Sequence, residues 1–230
     1  NTYNFTTNVS DSELILKETL DIDDNLPPVS IRNIEINNGL AYSIKDDYHI
    51  VYSKIKTDDS GVVYLPTSWP ATNEIEVGFG DGDPLVKLVN VNGYILAFKR
   101  KSIWILINDP DSGVFEYNRL QTNYTNVGLL NQRSVVQANN RVFFVSDDLK
   151  FHYFYITDFS NKELRLKDPP PSDPIADLFN DFASAYRNQV NLVNYTFTQF
   201  SQVWVSFTDG ASAPNPNNNF NTFVFDYSLD

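Results

Sequence analysis

One pattern repeats along this chain and restricts it more than any other feature: four short apolar strands, closed off by Asn, Gly or Asp turns. The clearest copy begins at Leu85. It reads LVKLVNV, the turn Asn92-Gly93, YILAFK, a turn at Arg100-Lys101, SIWILI, the loop NDPDSG and VFEYNRL. Asn-Gly is the strongest two-residue hairpin signal because both positions tolerate positive φ. The reading is four consecutive antiparallel strands. Upstream, IRNIEI, Asn37-Asn38-Gly39, LAYSI, Asp46-Asp47, YHIVYSKI, TDDSG and VVYL form a second such set. Downstream, RSVVQA, Asn139-Asn140, RVFFVS, Asp147-Asp148, LKFHYFYI, TDFSNK and ELRLKD form another. An incomplete fourth set reads VNLVNYTF, QVWVSF and, after ASAPNPNNN, FNTFVFDYSL.

The second strands begin at Leu40, Tyr94 and Val142, 54 and 48 residues apart, and Val203 follows 61 later. A four-strand unit at that period is the mark of a β-propeller. Middle strands such as YILAFK and VFFVS are nearly continuous apolar runs, as expected of sheets covered on both faces, whereas a sandwich or barrel would alternate more cleanly. The expected fold is therefore all-β, a propeller of about four blades at 31–79, 84–121, 127–168 and 189–230, with residues 1–30 as a lead-in. One amphipathic helix is expected near 174–187. It follows Pro169-Pro170-Pro171, with Asp173 as N-cap, Pro174 at the first position, and Ile175, Leu178, Phe179, Phe182 and Tyr186 on one face.

Charge and composition remove several functions. With 17 Lys+Arg against 29 Asp+Glu, the net charge is −12, and a phosphate grip needs clustered cations. No cysteine is present, so disulfides, thiolate nucleophiles and cysteine-ligated metals are excluded. His49 and His152 are the only histidines, each inside an apolar strand and read as packing groups. No apolar run is long enough to span a membrane. The absence of methionine, with Asn1 first, points to a processed chain or part of a longer one. Sequons at Asn4, Asn8, Asn123 and Asn194 are read as chance matches in an asparagine-rich chain.

The glycine-rich GFGDGDP at 78–84 is no dinucleotide fingerprint, because a strand follows it where a helix N-terminus is needed. Gly78, Gly80, Asp81, Gly82 and Asp83 are read as a structural turn between blades. Calcium at Asp81 and Asp83, or at Asp109 and Asp111, lacks the spaced loop that six to eight oxygens require. TDDSGVVY at 57–64 approximates a sialidase Asp-box, and NDPDSGVF at 108–115 is a poorer match. Such a box stabilises a turn, and no carboxylate-clamping arginine trio assembles from Arg32, Arg100, Arg119, Arg133, Arg141, Arg165 and Arg187. Lys99, Arg100 and Lys101 form the one dense basic cluster, a candidate interaction site for an acidic partner or subunit. Trp104 and Trp204 are read as core, and Trp69 as more exposed. No catalytic, cofactor or metal residue is assigned.

Three stretches together resemble the tail nozzle or tail tubular hub proteins of short-tailed bacteriophages. EVGFGDGDPLVKLVNVNGYILAFKRKSIWIL at 76–106 is similar to that family's GDGDP, strand, turn, strand, Lys/Arg turn, S-x-W/Y pattern. VGLLNQRSVVQANNRVFFVSDD at 127–148 resembles its S-V…F-x-S-D blade, and the helix followed by VNYTFTQFSQVWVSF and FVFDYSL resembles its closing blade. LKFHYFY departs from the family, which usually has a glycine turn there. The resemblance implies a non-enzymatic structural protein of the virion tail, without cofactors. It would assemble as a homo-oligomeric ring, usually a hexamer, below the portal and adaptor. Such a ring carries tail fibre or tailspike proteins and passes DNA without binding it specifically. The alternative is a carbohydrate-active propeller, either glycan-binding or sialidase-like. A WD-type or kelch-type scaffold lacks its signature here.

Overall fold

The computed structural model describes residues 30–58, 61–65, 68–108, 115–156, 159, 162–185, 187–197, 200–207 and 221–228. The chain is mostly β-structure in several small antiparallel sheets, with one short helix. The lead-in at 1–29, with Asn4 and Asn8, and the aspartates Asp109 and Asp111 lie outside the described residues.

The first sheet contains β1 (Arg32–Asn37), β2 (Leu40–Ile44) and β3 (His49–Tyr52). Asn38 and Gly39 take positive φ between β1 and β2, as the turn residues require. The expected third strand, YHIVYSKI, is cut at Ser53. There the chain turns out of the sheet, and buried Ser53 closes the end of β2: its amide donates to Ala41 O (2.9 Å) and its Oγ accepts the Ala41 amide (3.0 Å). The residues beyond form a separate hairpin, β4 (Lys54–Asp58) and β5 (Gly61–Leu65). The sheet's fourth strand is therefore β6 (Glu74–Glu76), not VVYL, and it pairs with β3.

The second sheet follows the expected meander through β7 (Leu85–Val91), β8 (Tyr94–Lys99), β9 (Ile103–Asn108) and β10 (Phe115–Arg119). A short β11 (Gln121–Thr122) leads to the third sheet, β12 (Val135–Ala138), β13 (Arg141–Val145) and β14 (Phe151–Tyr155). Its expected fourth strand, ELRLKD, does not form as such. Instead β15 (Glu163–Leu164) pairs in parallel with β11, and only a single bridge joins Leu166 to Phe154. On the edge of this segment away from β14, the Asn123 amide side chain brackets Leu166, accepting from its N (2.8 Å) and donating to its O (3.1 Å). Asn123 thus supplies the two bonds a neighbouring strand would have made.

The helix is shorter than expected. Asp173–Ile175 form a 3-10 turn that puts Ser172, not Asp173, at the N-cap position without a side-chain cap bond, and α1 runs over Ala176–Ala185. Phe179 is buried among Phe207 and Phe223, whereas Ile175 and Leu178 are exposed. The fourth sheet holds three strands, β16 (Val190–Phe197), β17 (Phe200–Phe207) and β18 (Asn221–Asp226).

The cores lie between consecutive sheets, and strand alternation puts them there. In β8, Ile95 and Ala97 join a cluster with Leu40, Tyr42, Ile44 and Ile50 of the first sheet. Their neighbours Leu96 and Phe98 join one with Val142, Phe144 and Phe154 of the third. In β13 the same division sends Phe144 back to the second sheet and Phe143 and Val145 forward to Val190, Val203 and Val205 of the fourth. Strands β2 and β13 are buried throughout, which is why their sequences, LAYSI and RVFFV, are apolar but for Ser43 and Arg141. First strands of neighbouring sheets also meet, β1 beside β7 and β12 beside β16.

Candidate functional site

The turn at 78–83 and the β8–β9 turn, which supply the most distinctive sequence motif, are bonded to each other. Lys99 has no exposed surface. Its Nζ donates to Asp81 Oδ2 (2.7 Å), Val77 O (3.0 Å) and Gly78 O (3.3 Å), and it lies over the rings of Tyr48 (5.3 Å) and Trp104 (5.8 Å). Asp83 clasps the other side of the hairpin. Its carboxylate accepts the Lys101 amide (2.8 Å) and the Ser102 hydroxyl (2.6 Å), and Ser102 Oγ accepts Trp104 Nε1–H (3.1 Å). Gly78 is required here: a Cβ would lie 2.5 Å from Asp81 Oδ2 and 2.8 Å from Lys99 Nζ, and its φ is +61°.

The basic cluster is accordingly not one surface. Lys99 is committed to this clasp, and Arg100 reaches Asp147 Oδ1 (3.0 Å), which also accepts from Arg187 (2.7 Å). Only Lys101 remains exposed. Burial of the two strands flanking the turn draws Lys99 inward, and a count of charges along the chain does not register that.

Lys101 lines a cavity of about 510 Å³ together with Ser102, Arg119, Gln121, Thr122 and Asn126. It lies where the β8–β9 turn meets the segment leading to the third sheet. Tyr124 also borders it, and its hydroxyl donates to Asp168 Oδ1 (2.5 Å). Burial, then that carboxylate, push the Tyr124 phenol up to about 12. Behind it His152 is fully buried, stacked on Phe144 (5.5 Å), with Nε2 3.4 Å from Asp148. Burial opposes the charge on Asp148, but hydrogen bonds from His152, Ser146 and the Lys150 amide hold its carboxyl below the usual value.

His152 is the packing group expected, but His49 is not. It is part-exposed, with Nδ1 2.8 Å from both oxygens of Asp46 and Nε2 3.5 Å from Glu74 Oε1. The sequence reading missed this group because it placed the sheet's fourth strand at 62–65, leaving Glu74 unconnected to His49.

The tryptophans also change places. Trp69 is 4% exposed, packed with Ala41 and Val51, while Trp204 is 41% exposed on the outer face of the fourth sheet. Trp104, expected in the core, is half-buried against it, with its Nε1–H bonded to Ser102. The described residues of the Asp-box-like stretch, 57–58 and 61–64, lie in the paired strands β4 and β5. The arginines stay dispersed: Arg32 pairs with Asp47 (3.1 Å), Arg100 and Arg187 share Asp147, and Arg141 lies over Tyr153, Tyr155 and Tyr227. Comparison of the chain with protein-family models and with curated protein sequences gave no match.

Proposed function

We propose that this chain is a structural, non-catalytic β-propeller component of a bacteriophage tail, a nozzle or hub subunit that forms part of the DNA-ejection conduit and docks other tail proteins. The observation that carries the reading is the packing of consecutive sheets face to face in chain order, with first strands adjacent between the first and second sheets and between the third and fourth. That arrangement is how blades succeed one another around an axis. The motif behind the resemblance also has a physical purpose consistent with it. Asp81 and Asp83 reach from the connection entering the second sheet to Lys99, Lys101 and Ser102 of that sheet's own middle turn, fixing the angle at which the sheet leaves its predecessor.

A net charge of −12 suits a conduit wall, since an acidic surface repels phosphate and lets DNA slide. The partners in this reading are further copies of the chain in a ring, the portal or adaptor above, and fibre or tailspike proteins at the side. Electron microscopy of the full-length protein, alone and with tail particles, tests it. Rings that join tails support the proposal; a monomer that never associates with tails overturns it. Hydrolysis of a fluorogenic sialoside, lost on removing one carboxylate, would move the assignment to the carbohydrate-active alternative.

A further inference from the structure

The tail reading makes no use of the donor group at the edge of the first sheet. The β3–β6 register sets His49 opposite Glu76 and Val51 opposite Glu74, so alternation brings His49, Glu74 and Glu76 to one face. Asp46, in the preceding turn, is held by the amides of Tyr48 and His49 (both 2.9 Å) and accepts from His49 Nδ1 (2.8 Å). A carboxylate on one ring nitrogen is the usual way a ligating histidine is oriented.

The other ring nitrogen, Nε2, faces two carboxylates. An ion bound at Nε2 would take the tautomer whose single N–H, on Nδ1, is given to Asp46. Glu74 Oε1 lies 3.5 Å away and Glu76 Oε2 3.8 Å. Those spacings are near the roughly 3.3 Å edge of a tetrahedron built on bonds of about 2.0–2.1 Å. Lys45 occupies the far oxygen, Glu74 Oε2 (2.8 Å), which leaves Oε1 turned to the histidine. One oxygen of Asp46, one of Glu74 and a ring nitrogen of His49 all fall within 4.8 Å of one another.

We propose that His49 Nε2 and Glu74 Oε1, with Glu76 and water completing the shell, bind a divalent transition-metal ion of the zinc type, oriented by Asp46. The ion fastens the three-residue strand β6 to β3 after the long excursion through β4 and β5. One imidazole with carboxylates selects zinc, cobalt or nickel over magnesium and calcium.

Calorimetric titration of the full chain with Zn²⁺, in the presence of roughly millimolar Mg²⁺ and Ca²⁺ to saturate diffuse carboxylate sites, tests this. The expected result is one equivalent bound. Asp46→Asn should weaken it about 10-fold to 100-fold, the range for losing such an orienting partner. His49→Gln and Glu74→Gln should abolish saturable binding, and Lys45→Gln should strengthen it. Co²⁺ in place of Zn²⁺ gives a second readout that does not depend on stability: visible absorption of a low-coordinate nitrogen–oxygen site, lost in Glu74→Gln. Far-ultraviolet circular dichroism separates loss of the site from loss of the fold. Several weak equivalents without saturation, or one equivalent that survives His49→Gln, would overturn the proposal.

Discussion

Removing the Asp81 carboxylate should harm this protein more than removing the lysine it neutralises. Asp81→Asn leaves the ammonium of Lys99, which has no exposed surface, without a counter-charge, among neutral carbonyls that include those of Val77 and Gly78 and two aromatic faces. Breaking a buried pair from one side costs roughly 3–5 kcal/mol. The lower end applies because the Asp81 side chain is 36% exposed and water screens part of the pair, giving about 3 kcal/mol. Lys99→Met removes the buried charge itself. What stays behind is a carboxylate that water can reach and two carbonyls short of a donor, a loss of about 1–2 kcal/mol. The double variant should lie near Lys99→Met alone, giving a coupling of about 3 kcal/mol. Urea unfolding followed by circular dichroism reads this directly. With m of about 1–3 kcal/mol/M, Asp81→Asn should lower the midpoint by roughly 1 M or more. A shift below about 0.2 M, or a greater loss from Lys99→Met than from Asp81→Asn, would refute the reasoning.

Gly128 passes so close to the β8–β9 turn that a Cβ would lie 2.2 Å from Lys99 O and 2.4 Å from Arg100 C, so Gly128→Ala must displace backbone. It should cost about 3 kcal/mol by the same urea assay, and a neutral substitution would show that the second and third sheets are not joined there. Tyr124 gives an alkaline prediction. Its phenol is raised from 10.0 to about 12 in the fold, so the neutral form is the one folding favours. Its contribution is complete below about pH 10 and is lost as the pH climbs toward about 12. Tyr124→Phe should flatten the fall in stability across that window, and curves of equal slope for the two proteins would count against the Asp168 bond.

The second sheet was legible residue by residue. LVKLVNV-NG-YILAFK carries its own turn chemistry and its own two-faced apolar run, and no distant residue is needed to close the hairpin. The first and third sheets were legible only through their third strands. Ser53 ends β3 with a hydroxyl that replaces a backbone partner, and Asn123 bonds the free edge of the segment expected to complete the third sheet. Both are short polar side chains imitating the backbone, and nothing in local periodicity marks which Ser or Asn will do so. Displacement of the fourth strand from 62–65 to Glu74–Glu76 is also what brought Glu74 to His49.

Local patterning by itself determined the all-β character, the hairpin turns and which strands would be covered on both faces, because these depend on neighbours two to six residues away. The fate of each charge was decided only in three dimensions. Lys99, Arg100 and Lys101 are adjacent in the chain yet end in a buried clasp, a bridge to Asp147 and open solvent respectively. Burial and pairing of an ion depend on what packs against it from other sheets, and consecutive residues on a turn point in different directions.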